Sequence, residues 1–130
     1  MKDETREWLQ KAHSDLRMAK LGFGLAPDPE YDDSCFHSQQ CVEKLIKAVL
    51  VERGISFPHS HDIGGLVDRV ATVEPSLASL RDELDALSSL AVIYRYPGDR
   101  ADADDAQTAL ALAVKAHELV MCLLQPPAGA

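Results

Sequence analysis

A chain of 130 residues is long enough for one domain with a real core and too short for a catalytic domain plus a separate regulatory one. Its formal charge of −8 and pI near 4.9 argue against holding nucleic acid mainly by counterion release, which needs clustered Lys and Arg. A local basic pocket stays open.

Only 5% of the residues are aromatic, and the aliphatic and Ala-rich remainder suits helices packed on helices. The three cysteines, Cys35, Cys41 and Cys122, are odd in number, lie in apolar helical registers and show no Cys-x-x-Cys spacing. They argue against zinc and a disulfide framework and read as reduced core thiols. No signal segment opens the chain and no run is read as long enough to span a membrane, so the expectation is a cytoplasmic protein with no membrane partner.

In chain order, Asp3 or Thr5 is a candidate cap for a first helix. Its apolar residues Trp8, Ala12, Leu16, Ala19 and Phe23 recur at three and four residues, and it ends at Gly22 or Gly24. Asp15 falls at the edge of that buried face, where it can pair with Lys11 or reach a neighbouring helix. PDPEYDDS is a loop by composition, after which Asp33 or Ser34 starts a second helix.

This second helix, running to about Gly54, is the organising element. Cys35, Val42, Leu45, Ile46 and Val49 share one face, and Phe36, Cys41, Ala48, Leu50 and Val51 widen the apolar arc almost all the way round. Neighbours must cover it on several sides. His37, Gln40 and Lys44 form a polar stripe that continues into Ala48 and Val51. Polar groups collinear with a core must find partners, because an unpaired buried amide costs about 1–3 kcal/mol. The stripe is either a ligand site or a set of interhelical hydrogen bonds with Lys44 reaching to water. Glu43 and Lys47, one turn apart, read as an exposed ion pair.

Pro58 prevents the helix from resuming, and Asp62 is placed to cap a short third helix carrying Ile63, Leu66, Val67 and Val70 inward. His59 and His61 lack further metal ligands, and His61 is expected at a helix terminus. A fourth helix from about Pro75 carries the seam Leu77, Leu80, Leu84, Leu87, Ala91 and Tyr94. It ends before Pro97, so Tyr94, Arg95 and Tyr96 stand at its C-terminal end. The last helix starts near Asp102 and carries Ala103, Ala106, Leu110, Ala113, His117, Val120 and Leu124. PPAGA is a frayed tail. These elements predict an all-α, up-and-down antiparallel bundle of four long helices and one short helix over residues 1–126, with a tail at 127–130.

Arg95 between two tyrosines is the leading anion-binding candidate, since a guanidinium fork matches phosphate oxygens and the rings can stack on a base. With His37, Gln40, Lys44 and Asp15 it would make one mixed-charge cleft. The opposing reading is an ordinary helix-end contact.

Several segments, in this order and spacing, resemble the HEPN family, small helical domains of prokaryotes and higher eukaryotes proposed to bind nucleotides or RNA. They are Trp8, Ala12 and Asp15–Leu16; FHSQQCVEKLIKAVL from Phe36 to Leu50; PHSHD from Pro58 to Asp62; and YRYP from Tyr94 to Pro97. The resemblance implies a helical bundle paired as a homodimer, working with a minimal nucleotidyltransferase, in some members as a toxin–antitoxin pair. Ribonuclease members carry an Arg followed four to six residues later by His. Here YPGDRADADDA follows Arg95 and contains no His, so no catalytic residue, metal or cofactor is assigned. A metal-independent endoribonuclease would need another base, and a purely structural interaction module is the remaining alternative.

Overall fold

The computed structural model describes residues 1–93 and 96–125, with side chains throughout except at 91–93. Every element in it is helical: α1 Asp3–Gly24, α2 Tyr31–Glu52, α3 Ile63–Val70, α4 Pro75–Ala78, α5 Arg81–Ile93 and α6 Ala103–Leu124. The architecture is the expected all-helical bundle, with one more helix than the spacing indicated.

The extra helix comes from a break in the expected fourth one. Ser79 and Leu80 form a turn between α4 and α5, and Ser79 Oγ donates to the Ser76 carbonyl, a local side-chain bond that competes with helix propagation. Leu77, Leu80, Leu84 and Leu87 are buried on both sides of the break, so the hydrophobic seam survives while the backbone does not stay regular.

α2 lies at the centre, and nearly all its apolar residues from Cys35 to Leu50 are sealed from solvent. α1 runs antiparallel to it. Thr5 Oγ1 donates to Glu52 at one end, and Ser34 Oγ donates to the Ala19 carbonyl at the other. α6 packs mainly on α2 and runs parallel to it, because the Ala101 amide donates to Asp32 while the Arg53 guanidinium donates to the Leu123 carbonyl at the far end. Ala106, Ala109, Ala113 and Ala116 form its contact face, and their small side chains allow close approach of the two backbones.

Local signals explain most boundaries. Arg53 caps α2 and Gly54 follows with φ +70°, a conformation glycine adopts without a Cβ penalty. Asp62 caps α3 by accepting from the Gly65 amide, and Asp102 with Asp105 forms a reciprocal capping box on α6. Gly64 has a packing role instead of a weakening one: a Cβ there would sit 2.5 Å from Asp85 Oδ1, the acceptor of its own amide proton.

Two boundary expectations and one of burial need correction. α1 begins at Asp3 with Lys2 as cap residue and no side-chain cap, and Thr5 is instead buried inside the helix. Leu9 is buried where Trp8 and Phe23 are only partly so. α2 starts at Tyr31 and not at Asp33 or Ser34, its first turn gaining from Asp32 and Asp33 beside the helix dipole.

Cys35 and Cys41 are buried, and burial pushes their thiols up to about 11 and about 12 respectively. Both are therefore unreactive at neutral pH. Cys122, expected in the core, is exposed, because α6 turns only one face toward α2.

α6 also corrects the expectation that no segment reaches membrane-span length. It has 22 residues and its most apolar 18-residue window has a mean hydropathy of 1.3, long and apolar enough to cross a membrane by length and composition. Lys115 and Glu118 stand on its exposed side, where at the middle of a bilayer a charge costs about 2.5–3.5 kcal/mol.

Candidate functional site

The polar stripe of α2 resolves into two carboxylate-centred clusters. In the first, Asp15 of α1 accepts from His37 Nδ1 at 2.8 Å through Oδ1 and from Lys44 Nζ at 2.5 Å through Oδ2. The stripe positions of α2 bring the imidazole and the ammonium to the same side, and the antiparallel crossing of α1 places the carboxylate between them. Lys11 is not the partner of Asp15.

Asp15 is 8% exposed as a residue, whereas the side chains of His37 and Lys44 are 26% and 22% exposed. A carboxylate at the bottom thus fixes two groups that reach the surface. Its hydrogen bond to Nδ1 makes that nitrogen a proton donor; Nε2 of His37 is then an acceptor in the neutral ring and a second donor in the protonated one. Phe36 packs edge-on against the His37 ring at 5.3 Å and further restricts its rotation.

The second cluster was not expected as a site. Glu43 Oε2 accepts from Lys47 Nζ at 3.0 Å, and Oε1 accepts from His61 Nδ1 at 3.0 Å and Gln39 Nε2 at 3.3 Å. Glu43 and Lys47 are 2% and 6% exposed. The i, i+4 spacing was therefore identified correctly, but the pair is buried and not a surface pair, because α1 and the connector after α2 cover it. Lys47 also lies 5.3 Å from the centre of the Trp8 ring, a cation–π arrangement strengthened by desolvation.

His61 does not bond a helix terminus. It reaches back from the connector to Glu43, with 82% of its side chain in solvent. Gln40 belongs to this second system, since it donates to Gln39 at 2.7 Å and not to Asp15.

Of the proposed cleft, then, the fold brings together Asp15, His37 and Lys44 and assigns Gln40 to the adjoining network. Tyr96 is 63% exposed. Tyr94 and Arg95 lie outside the described residues. His117 meets His13 of α1 edge-to-face at 4.8 Å, and Nε2 of each is buried without a hydrogen-bond partner. Burial, with His13 and Lys20 as lesser causes, lowers the His117 pKa. Among the described residues, no three His, Cys, Asp or Glu side chains are grouped to hold a metal ion.

Comparison with known proteins agrees with this architecture. The HEPN domain family matches residues 5–123. A protein of Methanocaldococcus jannaschii named "Putative toxin" is 37% identical over 97 residues, covering 69% of this chain and 61% of that protein, so the chain spans less than two thirds of its relative's length. The crystal structure of an archaeal HEPN homologue superposes with a TM-score of 0.75 at 26% identity, covering 96% of this chain and 100% of the other. With nearly its whole length matched and its helices superposing on a solved homologue, the chain belongs to the HEPN family.

Proposed function

We propose that this HEPN protein binds a nucleotide or RNA as a cytoplasmic homodimer, and that a minimal nucleotidyltransferase is its partner in a toxin–antitoxin pair. The observation that carries the binding role is the Asp15 cluster. In a chain of net charge −8, one carboxylate holds an imidazole and an ammonium at the surface in fixed positions, suited to phosphate oxygens. Arg95, flanked in sequence by Tyr94 and Tyr96, would add a bidentate cation and stacking rings.

Support for a second copy comes from α6, of whose most apolar window only 28% is buried within the protomer, and from exposed Met18 and Leu21 on α1 and Leu25 just after it. An exposed apolar surface of this kind is expected to be covered in use. Its occupant here would be another copy and not lipid, given Lys115 and Glu118 on the exposed side of α6.

Thermal-shift titrations with nucleotides and short RNAs test the binding role. A ligand at a hundredfold excess over its Kd adds about 2.7 kcal/mol to stability. The shift given by short RNAs should be lost in Arg95→Ala and in Lys44→Met. A short-RNA shift retained by both variants would refute the part given to these residues, and no shift with any ligand would refute the binding role. Light scattering at micromolar concentration should give the mass of a dimer, and a strict monomer would remove the homodimer. Co-expression with a nucleotidyltransferase encoded by an adjacent gene should yield a co-purifying complex and relieve any growth inhibition.

A second reading is favoured by the His37–Asp15 bond. Metal-independent RNA cleavage needs a base for the 2′-hydroxyl proton, and Nε2 of His37, with its ring oriented by Asp15, is an acceptor of the right kind. Cleavage of RNA by the wild type that disappears in His37→Gln would establish this endoribonuclease reading in place of a binding role alone.

A further inference from the structure

On the other side of the buried Glu43 cluster, the N-terminus of α1, the end of α2 and the connector at residues 54–59 enclose a half-open cavity of about 500 Å³. Trp8, Phe57 and Pro58 give it apolar walls, Lys2 and His59 supply groups able to bind an anion, and Glu4 adds a carboxylate to the lining. None of these six belongs to the Asp15 cluster.

The cavity's parts are held in place. Lys2 Nζ donates to the Val51 carbonyl at 2.9 Å, spending one of its three protons there. Lys47 is fixed beneath the Trp8 ring by Glu43. The chain turns away from α2 through Gly54 at φ +70°, and Phe57 and Pro58 of the connector that follows line the cavity.

A cavity lined by aromatic rings takes a planar ring, since stacking is tolerant of the ring's identity. A lysine and an imidazole beside such rings can take an anion carried on the bound ring. We propose that this cavity is a binding site for a nucleobase bearing a phosphate, either a free mononucleotide or the phosphorylated end of an RNA strand. The base would stack on Trp8 and Phe57, with the phosphate toward Lys2 and His59. The proposal rests on the nucleotide-binding role above and places a binding pocket apart from the Asp15 and Arg95 residues.

Trp8 is the single tryptophan of the chain, so its fluorescence reports on this cavity directly. Titration with UMP should quench it saturably. Uridine, lacking the phosphate, should bind at least about tenfold more weakly, a difference of about 1.4 kcal/mol. Phe57→Ala and the double variant Lys2→Ala/His59→Ala should each weaken UMP binding by about tenfold or more, and Arg95→Ala should leave it intact. A 5′-phosphorylated dinucleotide that quenches as UMP does identifies an RNA end as the occupant, and quenching by UMP alone identifies a free mononucleotide. An absence of saturable quenching overturns the proposal, as does UMP affinity unchanged in both cavity variants. Nucleotide stabilisation that is lost in Arg95→Ala but unaffected by Phe57→Ala overturns this pocket while leaving the binding role standing. Circular dichroism checks that each variant is folded.

Discussion

Two carboxylates sit along one side of α2, each holding a lysine and a histidine, and they end in opposite circumstances. Asp15 binds His37 and Lys44 where both partners reach solvent; Glu43 binds Lys47 almost wholly inside, with only His61 outside. The same three residue types therefore form an open cluster in one place and a structural tie in the other. What differs is the covering. The Asp15 cluster spans only the α1–α2 seam, whereas the Glu43 cluster lies beneath the connector that His61 anchors. A charged triad becomes a candidate ligand site when its cations keep access to water, and an architectural device when they lose it.

The sharpest test of this contrast is truncation of the carboxylates. Glu43→Ala should destabilise by about 3–5 kcal/mol, because it leaves the buried Lys47 ammonium uncompensated. Urea unfolding would measure it, and adding Lys47→Met should recover a substantial part. If the double variant is no better than the single one, packing and not the stranded charge dominates.

Asp15→Asn should lose less, about 1–2 kcal/mol, since an acceptor remains and both partners can turn to water. A loss equal to that of Glu43→Ala would erase the distinction between the clusters.

The His13–His117 pair provides a control without a carboxylate. Its burial lowers the His117 pKa, so the unfolded chain binds that proton more readily than the folded one. The stability involved is complete above the ordinary histidine value of about 6.5 and declines as pH falls through it toward the lower folded value. Unfolding free energies at pH 7.5 and 5.5 should show a loss that His117→Gln diminishes. An unchanged loss in that variant would place the titrating group elsewhere.

The smallest effect should come from His61→Ala, within about 0.5 kcal/mol, because a largely hydrated partner adds little to an ion pair. A larger loss of stability would mean that His61 pins the connector more firmly than its exposure implies.

Much of this molecule was readable from spacing. The apolar registers of α2 and α3, the Asp62 and Asp102 helix starts and the Gly54 exit follow from local physics, and the structure reproduces them, whereas in α1 and α6 it keeps part of the expected face and moves Leu9, Ala109 and Ala116 into the core. The meeting of Asp15 with His37 and Lys44 was legible as a possibility, because a polar stripe collinear with core residues must find partners across a helix seam. The break at Ser79–Leu80 was not, since neither Pro nor Gly marks it and the leucine spacing runs straight through it.

The sequence by itself determined which segments are helical, which faces are apolar and that α2 needs cover nearly all round, because these depend on contacts within a few residues. Only the tertiary structure decided that Glu43 and Lys47 are sealed in, that His61 returns to them across 18 residues, that α6 lies parallel to α2, and that Trp8 and Phe57 face one cavity. An i, i+4 pair has the same spacing whether it faces water or a neighbouring helix. Its burial is a property of what packs over it, and that is set by distant parts of the chain.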